Sequence, residues 1–298
     1  MQRKNNSFRG RSSRPNTFTS TRRRPSGSSR GPKKQTIHPS KFINRTPVEA
    51  EVVEYVPKHR FSDFALSDVI KNNLIKIGFD TPSAIQDQAI PLALEGKDVI
   101  GLANTGTGKT AAFLLPILNS LKTTNKYNSV LIMAPTRELA QQIDAECKRF
   151  SQALRVYSTV VVGGVNIDRQ MRDLKRRPHI IIGTPGRLND LLERGALRLT
   201  DISIFVLDEA DRMLDMGFVN DIRKIASMLP SDRQTLCFSA TMTPTIQTLV
   251  HDFMRNPEVV SVRTSETSDH VEQDIVEAHD KAHKVEILEE LLRKDEFE

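Results

Sequence analysis

Asp98-Val99-Ile100-Gly101-Leu102-Ala103-Asn104-Thr105-Gly106-Thr107-Gly108-Lys109-Thr110 is a short apolar run that ends in a glycine-containing loop. An apolar helical pattern, Ala111 to Leu115, follows directly. Strand, loop and helix in that order form a phosphate cradle, because successive backbone N–H groups and a helix N-terminus then point at one anion. Lys109 is placed to reach the terminal phosphates, and the Thr110 hydroxyl to ligate Mg²⁺. The common pattern begins with glycine where this chain has Ala103. The loop from Ala103 to Thr110 predicts a nucleoside triphosphate site.

The chain around it has 298 residues, 38% of them hydrophobic, enough for a substantial core. Its net charge of +6 is unevenly spread, since residues 1–45 hold 13 Lys or Arg and no acid. Ordering that stretch would cost roughly 45–90 kcal/mol of backbone entropy. Its six apolar side chains, Met1, Phe8, Phe18, Ile37, Phe42 and Ile43, return about 1.5–3 kcal/mol each. Residues 1–60 are therefore expected to form a disordered basic tail, either a solvated charge run or an arm that attracts polyanions. If it neutralised about five phosphates of a single strand, log K would fall with log salt at a slope near −3.5. Pro15, Pro25 and Pro32 spoil the amphipathic helix that an organelle transit peptide needs.

Cys147 and Cys237 lie far apart, with no C-x-x-C pair and no metal-ligand spacing to a histidine. No apolar run approaches the roughly 18 residues of a membrane span. A reducing, cytoplasmic compartment and no membrane partner are the expectation.

From residue 61 the pattern becomes periodic. Leu66, Val69, Ile70, Leu74 and Ile77 predict one helix, and Ile85, Ala89, Ile90 and Leu94 a second after Pro82. Short apolar runs then alternate with amphipathic helices: Val130 to Met133, Val156 to Val162, Ile180 to Ile182, Ile202 to Leu207, Thr235 to Phe238 and Val259 to Val262. Runs of this kind read as buried parallel strands, and the alternation predicts a doubly wound α/β domain over 61–263. Residues 264–273 read as a polar linker. A strand over Asp274 to His279 and a helix from Lys281 to about Arg293 follow; one strand and one helix cannot bury their own faces, so these either dock on the main domain or form the incomplete start of a second domain at 274–298.

Ligands of open α/β sheets sit at the carboxyl ends of strands. At those ends stand Pro135-Thr136-Arg137-Glu138-Leu139-Ala140, Gly163-Gly164, Thr184-Pro185-Gly186-Arg187, Asp208-Glu209-Ala210-Asp211 and Ser239-Ala240-Thr241. Together with the phosphate loop, this collinear set resembles the DEAD-box family of ATP-dependent RNA helicases, over nearly all of residues 61–263. The segment Gly78-Phe79-Asp80-Thr81-Pro82-Ser83-Ala84-Ile85-Gln86, with Phe61 standing 17 residues before Gly78, resembles the family's adenine-recognising Q motif.

The resemblance implies a RecA-like fold, ATP and Mg²⁺ as ligands and RNA as partner. Asp208 is the implied Mg²⁺-side carboxylate, as a hard cation on phosphate oxygens takes oxygen ligands. Glu209 beside it is the implied base that orients and deprotonates the attacking water. The family pattern has Asp211 hydrogen-bonded by Ser239 and Thr241, coupling nucleotide state to strand separation. Gln86 suits the donor–acceptor edge of adenine, and Phe61 would stack on the base or pack in the core. Thr136, Arg137, Gly163, Gly164, Thr184, Gly186 and Arg187 match the positions that hold an RNA backbone. Such contacts do not read bases, so the expected binding is sequence-independent.

The family's arginine finger and its His-Arg-Ile-Gly-Arg segment have no match in these 298 residues. The polypeptide alone is therefore expected to bind ATP and to turn it over slowly. A nucleotide-dependent binding module without catalysis and a DNA translocase are the competing readings; the Phe61–Gln86 pair argues for the RNA family.

Overall fold

The computed structural model describes residues 55–124, 126–262, 276 and 278–292. The basic stretch 1–54, the expected linker 264–273 and Asp274, Ile275 and Glu277 of the expected strand lie outside them. The chain divides into a unit spanning 50–272 and a unit that includes 273–298.

The larger unit is a seven-stranded parallel sheet. Its strands are β1 (Val99–Ala103), β2 (Val130–Met133), β3 (Ser158–Val161), β4 (Ile180–Gly183), β5 (Ile204–Leu207), β6 (Gln234–Ser239) and β7 (Glu258–Val262), in the order β3-β4-β2-β5-β6-β1-β7. The apolar runs are buried on both faces because each face is covered by helices. On one side lie α1 (Asp68–Lys76), α2 (Ala84–Leu94), α3 (Lys109–Thr124) and α4 (Arg137–Phe150). On the other lie α5 (Ile167–Lys175), α6 (Pro185–Glu193), α7 (Ala210–Asp215), α8 (Val219–Ser227) and α9 (Pro244–Phe253).

Alternation divides each strand between the two cores. Val130, Ile132, Ile204 and Val206 face the first helix layer, while Leu131, Met133, Phe205 and Leu207 face the second. At Gly101 the strand must lack a side chain, since a Cβ there would run into the ring of Phe238. That ring packs on Phe113 of α3 with centroids 5.4 Å apart. Helix starts are set locally: the Thr136, Asn166 and Thr243 side chains accept N–H bonds from Leu139, Arg169 and Ile246. Cys147 and Cys237 are buried, and burial pushes both thiols up to about 12.

In the smaller unit, α10 (Lys281–Leu292) carries the expected stripe, with Val285, Leu288 and Leu292 exposed. The Asp280 carboxylate accepts the His283 N–H at 2.9 Å near its start.

At the amino ends of β3 and β4, His179 is buried between the rings of Tyr127 and Tyr157, with centroids 4.4 and 5.8 Å away. Its Nδ1 accepts the Tyr157 N–H at 3.1 Å. Burial holds its pKa below the ordinary 6.5, with a backbone bond to Tyr157 opposing. The unfolded chain therefore binds the extra proton first. Stability is full above pH about 6.5 and is lost as the pH falls from there towards the lower native value. Urea midpoints measured at several pH values check this: the His179→Asn variant is expected to lose that part of the slope, and an unchanged slope would refute it.

Candidate functional site

All seven strands run the same way, so their carboxyl ends share one edge of the sheet. β5, β6 and β1 are consecutive neighbours, which brings the Asp208 tetrad, the Ser239 turn and the phosphate loop side by side. β3, β4 and β2 are likewise consecutive and carry the Gly163-Gly164, Thr184-to-Arg187 and Thr136-Arg137 segments.

The phosphate loop is built by left-handed glycines. Gly106 and Gly108 have φ of 84° and 88°, where a side chain is strained. Asn104, Thr105 and Gly106 are exposed, whereas Lys109 is buried at 6% exposure. Its ammonium donates to the Ala103 carbonyl at 3.0 Å, across the mouth of the loop. Thr107 and Thr110 are half-buried beside it.

Facing it, Asp208 is 2% exposed and accepts the Glu209 N–H at 3.1 Å. Burial pushes its carboxyl up to about 6; Lys109 pulls it down, while Glu209 and Asp211 repel the second charge. Glu209 caps α7 in the left-handed region, φ 51° and ψ 54°. A non-glycine residue there stores about 1–3 kcal/mol of backbone strain. Its carboxylate is held by Arg212 at 3.3 Å, a partner the motif reading did not include although it lies three residues on.

Asp211 accepts three bonds with one oxygen: from Ala240 N–H at 3.0 Å, Thr241 N–H at 2.9 Å and the Thr241 hydroxyl at 3.2 Å. The Ser239 hydroxyl turns instead to the Thr241 carbonyl at 2.8 Å. Ser239 thus shapes the turn that presents Ala240 and Thr241, and touches Asp211 through it.

Gln86 and Ser83 are drawn into the loop itself. Gln86 Nε2 donates to Gly108 O at 3.0 Å, and its Oε1 accepts the Ser83 N–H at 2.9 Å. Ser83 Oγ donates to Thr107 O at 2.7 Å. Behind them Asp87 is buried and gathers the Tyr55 hydroxyl, the Lys58 N–H and the His59 ring at 2.5, 2.7 and 2.6 Å. Burial pushes the Asp87 carboxyl up, but these bonds outweigh it and leave it below the usual carboxylate range. Phe61 is 3% exposed, its ring packed on Phe64 and Phe79. Beside it lies a cavity of about 400 Å³, also lined by Lys71, Phe79 and Thr81.

On the other side of the edge, Arg137 lies over Gly164, whose φ is 73° and where a Cβ would strike the guanidinium. Arg187 donates to Val165 O at 3.1 Å, which ties the Thr184-to-Arg187 segment to the chain just after Gly163-Gly164. Gly163 and Gly186 meet nothing within 4 Å of where a side chain would start, leaving their backbones approachable. Thr184 caps α6 without a side-chain bond.

The DEAD/DEAH box helicase family matches residues 83–249, from Ser83 just before α2 to Leu249 in α9. The chain belongs to that family. It is 46% identical over 233 residues to the DEAD-box ATP-dependent RNA helicase CshA of Geobacillus kaustophilus, covering 78% of this chain and 50% of that protein. To the RNA helicase CrhR of Synechocystis sp. it is 43% identical over 239 residues, 80% of this chain and 48% of that one. The chain thus spans about half the length of the curated DEAD-box relatives it matches. Among solved structures, a hypothetical ATP-dependent RNA helicase from Sulfolobus tokodaii superposes with a TM-score of 0.62 at 35% identity, over 66% of this chain and 57% of that one. The RecA-like, parallel architecture expected of a DEAD-box domain is the one found.

Proposed function

We propose that residues 61–263 are the ATP- and RNA-binding domain of a DEAD-box ATP-dependent RNA helicase, acting in the cytoplasm, and that coupled hydrolysis drives local duplex melting. The observation that carries this reading is the convergence of Lys109, after β1, with Asp208, Glu209 and Asp211, after β5, across the carboxyl end of the intervening β6. The residues fit the ligands. Gly106 has nothing within 4 Å of where a side chain would start, which leaves the loop backbone there approachable, and the buried Asp208 carboxyl with the Thr110 hydroxyl is an all-oxygen donor set for Mg²⁺. When bound, Mg²⁺ neutralises charge on the phosphate oxygens.

The chain's own residues do the rest. Lys109 exchanges the Ala103 carbonyl for phosphate oxygens. Glu209 exchanges Arg212 for the attacking water and takes its proton, so the Arg212 contact restrains the base until it is needed. Asp211, fixed by the Ala240–Thr241 turn, ties α7 to β6. Thr136, Arg137, Gly163, Gly164, Thr184, Gly186 and Arg187 line the adjoining edge and take an RNA sugar-phosphate track.

Two measurements on the 298-residue chain test the proposal. Labelled oligo(U) and oligo(A) of equal length are expected to bind within about threefold of each other in the presence of ATP and Mg²⁺, since backbone contacts carry no base information. A preference above about tenfold, or DNA displacing RNA, would overturn it. ATP is expected to bind and to be hydrolysed about 10³–10⁵ times more slowly than by an enzyme supplied with an arginine finger. Rapid RNA-stimulated turnover by this chain alone would refute that.

A further inference from the structure

β3 is an edge strand, and its free side opens into a groove of about 760 Å³ between α4 and α5. On its paired side, Ile180 N–H donates to Tyr157 O and Thr184 N–H to Val161 O, both at 3.2 Å. Main-chain groups alternate sides along a strand, so Tyr157, Thr159 and Val161 address β4 while the N–H and C=O of Ser158 and Val160 point outward. Among the described residues none bonds to those four groups. Edge strands are ordinarily blocked by proline, by lysine or by inward charges. Ser158-Thr159-Val160-Val161 has none of these, and the slot beside it is lined by α4 and α5.

Two further observations say what the slot takes. Gln170 of α5 lines it at 3% exposure; its Nε2 donates to Val162 O at 3.0 Å, and its Oε1 has no partner. A buried acceptor left unmatched is destabilising, and a donor arriving with a ligand would relieve it. The rim carries a net positive charge: Arg169 and Arg176 line it against Asp173, which pairs with Arg176 at 3.4 Å and leaves Arg169 as the cation facing the groove, with Arg172 and Lys175 on the same helix outside the lining. Lys148 opposite is already neutralised by Asp144 at 2.6 Å.

We propose that this groove is a β-addition site that takes an extended, acidic peptide segment of a protein partner as an eighth strand. Outward donors and acceptors alternating along a strand match a peptide backbone, whose repeat is about 3.3–3.4 Å per residue. A phosphate track would be repelled by the outward carbonyls of Ser158 and Val160. Exposed Tyr157 at one end of the slot and Val165 at the other supply apolar anchors.

The test uses the ¹⁵N-labelled 298-residue chain and the capped peptide acetyl-Glu-Asp-Val-Thr-Val-Thr-Val-Glu-Glu-amide. Binding with slowed exchange of the Ser158 and Val160 amides is expected. Val160→Pro, which removes one outward donor, should weaken it about five- to tenfold. Arg169→Glu with Arg176→Glu should weaken it about tenfold at low salt and by less at high salt. ATP affinity should stay unchanged in both variants. No binding below about 1 mM, binding indifferent to both variants, or oligo(U) RNA protecting those amides in place of the peptide would each overturn the proposal.

Discussion

Lys109→Ala is expected to weaken binding of ATP in the presence of Mg²⁺ by at least about a hundredfold, read by titration of a fluorescent ATP analogue. The lysine is buried, and its ammonium reaches across the loop mouth to Ala103 O. Two charge-assisted hydrogen bonds to phosphate, at about 1.5–3 kcal/mol each, are lost with it. A total near 3 kcal/mol is a little over two decades in affinity. A second effect adds to the first. Lys109 opposes the upward push of burial on Asp208, so its removal raises that carboxyl further and leaves less of the ionised form to receive a cation. Affinity within about threefold of the wild type would mean that the loop does not hold the triphosphate.

Phe113→Ala should cost about 3–5 kcal/mol of folding free energy, a large part of the 5–15 kcal/mol typical of a domain. The ring is fully buried on α3, one turn after Lys109, and packs on Phe238 with centroids 5.4 Å apart. The sheet cannot collapse into the void, because Phe238 is already pressed against the side of β1 that Gly101 leaves bare. A fall of roughly 10 °C in Tm follows. ATP affinity measured well below the transition should stay near the wild-type value, which separates the packing role from the ligand role. A Tm within about 3 °C of the wild type would show that the core repacks around the gap.

Much of this architecture was legible because the apolar runs are short and continuous, and each polar signature sits just past one of them. Val130 to Met133, Ile180 to Ile182 and Thr235 to Phe238 all fall within strands. The order of the strands was not legible. Local pattern does not say that β2 lies beside β5, and that adjacency is what seats the Asp208 N–H on Met133 O at 3.0 Å. Within the site, residue types were readable and partners less so. Ser239 bonds to a carbonyl two residues on because the turn aims its hydroxyl there. The burial of Phe61 depends on Phe64 and Phe79, which close over it from different segments. Gln86 finds Gly108, 22 residues away, through the approach of α2 to the phosphate loop. Arg212 was one turn from Glu209, and the i, i+3 spacing was the available signal for that pair.

The bond from Asp208 N–H to Met133 O has a mechanical consequence. It ties the residue just past β5 to the last residue of β2, so the ground beneath the proposed triphosphate site and the ground beneath the proposed polynucleotide track form a single plate. Any message passing between the two ligands must then travel through the superstructure of turns above the plate, where the Ala240–Thr241 corner grips Asp211, and not by flexing of the floor itself.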